Sequence, residues 1–189
     1  MLTHSYNIIL RIRMLLTLVL AAASVIACAA SSAHAQGLPG SVSASCAPQP
    51  SGAVAWYPCE GTAEDVQGGN HGSLQGGAYF TKGGKVGSAF LLDGVDDFIS
   101  VPASDGLNVG AGDGLTFEMW VKPSDLGQQR PLVEWHNGSA YGTHFWTNVL
   151  WGPGQGAGSL YGNLVDTNGT HYYIWTASSV LTAGVYQHV

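Results

Sequence analysis

Apolar residues fall in short runs along this chain, and between them lie turns made of glycine, aspartate and asparagine. Residues 83–121 show the pattern most fully. Three apolar runs, 89–92, 98–101 and 115–121, are separated by Asp93-Gly94-Val95-Asp96-Asp97 and by a loop containing Gly106, Gly110, Gly112 and Gly114. The last run alternates. Leu115, Phe117, Met119 and Val121 fall on one side of an extended chain, with Thr116, Glu118, Trp120 and Lys122 on the other. Further runs at 53–57, 73–80, 86–92, 131–135, 141–150, 160–165 and 172–176 repeat the motif. Pro58 closes the first of them, while Asn137-Gly138 and Asp166-Thr167-Asn168-Gly169 mark hairpins. Short β-branched and aromatic runs between such turns predict an all-β fold, an antiparallel β-sandwich.

The first fifty residues read differently. Arg11 and Arg13 precede an apolar stretch at 14–26, and Ala33-His34-Ala35 offers small residues for cleavage. This is the pattern of a signal peptide spanning 1–35. The stretch is shorter than the ~20 residues of a transmembrane helix, so no transmembrane segment is expected. Val25-Ile26-Ala27-Cys28 also fits a lipobox, in which Cys28 would carry a lipid anchor. Both routes lead out of the cytoplasm, to a secreted or cell-surface location. Residues 36–51, rich in glycine, proline, serine and alanine, are expected to form a linker, leaving 52–189 as one domain. With the leader removed, Cys46 and Cys59 are the remaining cysteines, and an oxidising compartment favours a disulfide between them. Closing a loop of that size stabilises by roughly 3 kcal/mol. Two unpaired thiols are the alternative.

Charge narrows the choice of partners. Charged residues make up only 10% of the chain, against about 25% in an average domain. After the leader, Lys82, Lys85, Lys122 and Arg130 stand against twelve acids. That surface repels nucleic acid and anionic lipid, and favours divalent cations or neutral ligands.

The segment KVGSAFLLDGVDDFISVP, followed by LTFEMWVKP, resembles the laminin-G-like branch of the concanavalin-A-like lectin/glucanase jelly rolls. The resemblance runs from about Ser51 to Val189 and is densest over 85–123. It implies a jelly-roll sandwich and a role in recognition or adhesion. Tyr186-Gln187-His188-Val189 resembles the start of a strand that relatives continue, so the resemblance also implies C-terminal strands beyond those present here.

Three chemistries have candidate residues. Calcium takes six to eight oxygen ligands. Asp65 and Asn70 in one glycine-rich turn, with Asp93, Asp96 and Asp97 in another, supply such ligands, as the loops of jelly-roll relatives do. The same aspartates also serve as turn-capping residues through local hydrogen bonds. Sugar binding draws on Trp135, Tyr141, Trp146, Trp151 and Tyr161 as stacking faces, with Glu134, His136, Asn137 and Asn148 as partners for hydroxyls. Large aromatics also build sandwich cores. Glycoside hydrolysis needs two carboxyl groups flanking the bond, whereas Glu118 and Glu134 each stand alone beside a tryptophan. The histidines show no paired zinc spacing. The expectation is therefore a secreted, non-catalytic, calcium-stabilised module that binds a glycan or an extracellular protein ligand. The alternatives are a structural spacer with no ligand and, more remotely, a glycan hydrolase.

Overall fold

A computed structural model of the protein describes residues 7–10, 15–18, 50–109, 114–137, 139–153 and 155–189. The secondary structure among them is β throughout, apart from one 3-10 turn at Asp105–Leu107. In chain order the strands are β1 (Asn7–Leu10), β2 (Leu15–Leu18), β3 (Ser73–Gln75), β4 (Tyr79–Thr81), β5 (Ala89–Asp93) and β6 (Phe98–Val101). They continue as β7 (Trp120–Val121), β8 (Arg130–His136), β9 (Tyr141–Thr147), β10 (Leu160–Val165), β11 (His171–Trp175) and β12 (Gln187–His188). One sheet has the order β11-β10-β9-β8-β1-β6-β3, a second β2-β5-β4, and a third pairs β12 with β7. Every pairing is antiparallel. No helix among the described residues is long and apolar enough to cross a membrane.

One core joins the sheets. Ile99 and Val101 of β6 and Leu132 and Val133 of β8 meet Phe90 and Leu92 of β5 and Val121 of β7. Each large side chain fully buried there contributes about 1.5–3 kcal/mol. The alternation expected from residue 115 to 121 holds, since Met119 and Val121 are buried while Thr116 and Glu118 are exposed. Only Trp120–Val121 is strand, however, and Met119 exchanges two 2.9 Å backbone bonds with Val189. The expected strand at 73–80 is broken at Gly76, where φ is +78°, and becomes β3 and β4.

Residues 53–57 depart furthest from expectation. They belong to no ladder. The Trp56 N–H donates to Asp65 Oδ1 at 2.8 Å, and the Trp56 carbonyl accepts from the Val66 N–H at 2.9 Å. The loop takes the backbone groups that a neighbouring strand would need.

Ala33-His34-Ala35, Cys28, residues 36–49 of the expected linker, and Cys46 lie outside the described residues. Two pieces of the segment read as a leader are paired in sheets. β1 lies between β6 and β8, and β2 lies along β5.

Candidate ligand-binding face

The strands β8 to β11 form an antiparallel run in which register places side chains in rows. Successive residues of a strand alternate between its two faces. On the inner face, Trp135 packs against Phe117 with ring centroids 4.9 Å apart, and Phe145 lies 6.4 Å from Phe117. Residues of the opposite parity form an outer face. Glu134 stands opposite His144, His144 opposite Asn163, and Asn163 opposite Tyr173. One step along, Trp146 stands opposite Tyr161, and Tyr161 opposite Trp175.

The rings of this face form a continuous surface. Tyr173 lies 5.2 Å from Trp175, 6.0 Å from Tyr161 and 5.5 Å from His171. Trp151 comes from the loop after β9 and meets Tyr161 edge-on at 4.9 Å. Tyr173 and Trp151 are 46% and 47% exposed, so ring faces remain open to solvent. At the far end Tyr141 sits between His136 (4.5 Å) and His144 (4.4 Å).

The loop carrying Trp151 is anchored by Asn148, which is fully buried at φ +57°. Its side chain donates to the Gln128 carbonyl and accepts from the Gly158 N–H, both at 2.8 Å. Gly152 follows Trp151 at φ +84°, so close to Trp175 that a Cβ there would lie 2.7 Å from the indole Nε1. Glycine is required on both counts.

Polar groups are buried among these rings. Trp146 Nε1 donates to Glu134 Oε1 at 2.9 Å, and Glu134 is 3% exposed. His144 Nδ1 lies 3.9 Å from the same oxygen. Burial, together with the nearby His171 and His136, lowers the His144 pKa to about 4, so its ring is neutral at pH 7. Burial, reinforced by Tyr173, pushes the Tyr161 hydroxyl up to about 12. Asn163 Nδ2 lies 3.0 Å from His171 Nδ1.

Three polar atoms of this face are buried without a hydrogen-bond partner among the described residues: His144 Nε2, Asn163 Oδ1 and Trp175 Nε1. Each such group costs about 1–3 kcal/mol of desolvation. Folding alone gives no reason to place three of them side by side.

The residues named from sequence divide as follows. Glu134, Trp146 and Trp151 share the outer face, with Tyr161. Trp135 is on the opposite face, where its Nε1 donates to the Leu107 carbonyl at 3.1 Å. Asn137 shapes the β8–β9 turn, its Oδ1 accepting from the Ser139 and Ala140 N–H groups at 2.9 and 2.7 Å. Sequence reasoning passed over His144, Asn163, His171, Tyr173 and Trp175. The signal was present in His171-Tyr172-Tyr173-Ile174-Trp175, which places three rings on one side of a strand.

The five residues expected to share a cation do not form one group. Asp93, Asp96 and Asp97 bring carboxylate oxygens within 4.8 Å of one another, and Asp65 is not among them. Asp65 organises its own turn. Its two oxygens accept from the N–H groups of Trp56, Gln67, Gly68 and Asn70 and from Asn70 Nδ2, at 2.8–3.0 Å. Although burial opposes it, these bonds hold its carboxyl below the usual range. The Asn70 carbonyl accepts from the Tyr57 hydroxyl at 2.6 Å, and Asn70 Oδ1 accepts from Ser104 Oγ. In the other turn, Asp97 Oδ2 accepts from the Asp93 N–H, and Asp93 Oδ1 from the Val95 N–H. One oxygen of each of these two carboxylates is left over from those bonds. Arg130 Nη1 donates to the Gly94 carbonyl at 2.8 Å, placing a positive charge beside the acids.

Cys59 is buried, with Sγ 3.2 Å from the Tyr57 carbonyl. Its expected partner Cys46 is outside the described residues.

No protein-family model matches this chain, and neither a curated protein nor a solved structure does.

Proposed function

We propose that the protein is a secreted, non-catalytic recognition module of the laminin-G-like, jelly-roll kind, which binds carbohydrate or another extracellular ligand on the outer face of β8–β11. The observation that carries the reading is the outer face itself. Five rings from three strands and a loop (Trp146, Trp151, Tyr161, Tyr173, Trp175) surround polar groups with unmet hydrogen-bonding capacity. Aromatic faces stack on the C–H faces of pyranose rings, while amide, imidazole and indole groups meet hydroxyls. Hydrolysis fits less well. The carboxyl of this face is Glu134, and Asp166 at the β10–β11 turn is held by the Asn168 and Thr170 N–H groups.

Calcium, in this reading, binds at Asp93, Asp96 and Asp97. Three carboxylates are few for a cation wanting six to eight oxygens, and Arg130 opposes it, so the affinity belongs in the ~10⁻⁴–10⁻³ M range of extracellular modules. Export with cleavage after Ala35, and a Cys46–Cys59 disulfide, complete the proposal. Their support is the pattern of Arg11, Arg13, the apolar stretch and Ala33-His34-Ala35. Cleavage there removes β1 and β2 and leaves β6 and β8 one strand apart. Both the full chain and a chain beginning at Gln36 therefore belong in the test.

The test is a glycan array, with and without calcium. Retention of a glycan, weakened by Tyr173→Ala, supports the module. No retention by either form of the folded protein leaves a spacer with no ligand. Release of reducing ends that disappears in Glu134→Gln would show a hydrolase.

A further inference from the structure

We infer that the outer face of β8–β11 selects uncharged, hydroxyl-rich glycans over anionic ones. The inference rests on the recognition reading above and specifies its ligand class. Asn163 is 3% exposed, and its amide has one end on His171 and the other without a partner. The nitrogen of the amide faces His171, so the remote end is its oxygen, which needs a donor. Trp175 Nε1 offers only a donor and needs an acceptor. A hydroxyl donates and accepts, so sugar hydroxyls meet the needs of both kinds of atom. A carboxylate or sulfate only accepts, and would leave the Asn163 oxygen unmet.

The neighbouring groups favour the same class. Glu134 places a carboxyl in the same cross-strand row, and His144 is neutral at pH 7. Three of the domain's cationic side chains are engaged elsewhere. Lys85 lies over Trp120, Lys122 lies over Tyr186, and Arg130 is bonded to Gly94. Nothing in these contacts offers a fork or ammonium to an acidic sugar. The loop at Trp151 and Gly152 packs against Trp175.

The experiment compares retention of the full chain on neutral β-glucan, galactomannan and xylan with retention on polygalacturonate and a sulfated glycosaminoglycan. Each is run at low salt and at about 0.5 M salt, where exposed charges are screened. Retention on a neutral chain, unchanged by salt, is expected. Trp175→Phe keeps the ring but loses the N–H, and should weaken binding about tenfold. Should that variant not fold, Tyr173→Ala, at a half-exposed position, should produce a similar loss. Equal or tighter retention on the anionic polymers, abolished by salt, overturns this inference and leaves the recognition reading standing. Failure of the folded wild type to bind any of the five overturns both.

Discussion

The two faces of β8–β11 are built from the same four strands and are covered by different kinds of group. The inner face is covered over β8 and β9, where Leu132, Val133 and Trp135 join the core with Phe145. The cover then runs out. Leu164 of β10 and Tyr172 and Ile174 of β11 are 47%, 57% and 71% exposed. The outer face is buried at Glu134 of β8 as well as on β10, and opens at Tyr173 of β11. Tyr161 and Asn163 of β10 are buried, and rings from β11 and the Trp151 loop pack on Tyr161. Apolar contact accounts for the inner face. It does not account for an outer face that buries an amide oxygen, an imidazole nitrogen and an indole N–H without partners among the described residues. Burial that serves folding satisfies most polar groups. Apart from Arg130 Nε, the buried side-chain polar atoms without a partner among the described residues lie on the outer face, so that face is where function is to be sought.

That contrast can be broken most forcefully from the inside. Leu132→Ala should cost about 3 kcal/mol of stability by opening a cavity in the core, with ligand retention intact wherever the protein remains folded. A denaturant midpoint and a binding isotherm on the same sample would check both halves.

Asp65→Ala tests a polar group that is fully satisfied. Removing the acceptor for five donors should cost about 2 kcal/mol. The Asp65 carboxyl is held low in the folded state, so its stabilisation is present above about pH 3.9. It is lost as pH falls through the folded value. The variant should show a shallower acid limb in pH-dependent unfolding.

On the outer face the expectations exchange places. Tyr173→Ala should change stability by less than about 0.5 kcal/mol, yet weaken glycan retention several-fold. A loss of stability comparable to Leu132→Ala would make the aromatic surface a second core.

His144 gives a finer measure of the same face. Its pKa falls to about 4, so the unfolded chain binds the proton more readily between pH 6.5 and 4. Stability from this group is complete above about pH 6.5 and declines towards pH 4. In His144→Gln that part of the pH dependence should flatten. An unchanged profile would mean that the imidazole is solvated.

The smallest effect is expected at the Asp93 turn. Calcium binding measured by calorimetry should be weak and should disappear in Asp96→Asn, and chelation should leave the outer-face rings in place. Micromolar affinity would show that more oxygens converge there than the three carboxylates.

Much of this arrangement was legible in the amino-acid pattern. Short apolar and aromatic runs between turn residues located β8, β9, β10 and β11 to within a few residues, because such runs and turns are local features of the chain. The turn at Asn137-Gly138 was equally readable, since its chemistry is local. Residues 53–57 were not, because a carboxylate nine positions away competes for the backbone of Trp56. Nor was the separation of Asp65 from Asp93, since turn-capping and cation-binding aspartates look alike until their hydrogen bonds are counted. Trp135 and Trp146 looked equivalent for a similar reason. Which face of a sheet meets the core depends on what packs against it.

Sequence by itself therefore determined the class of structure, the strands of the large sheet and the acidic, charge-poor surface, all of which follow from nearest-neighbour geometry and composition. Tertiary structure alone decided that Glu134, His144, Asn163 and Tyr173 form a row across four strands. Cross-strand register joins residues up to 39 positions apart, and no local property of the chain encodes that meeting.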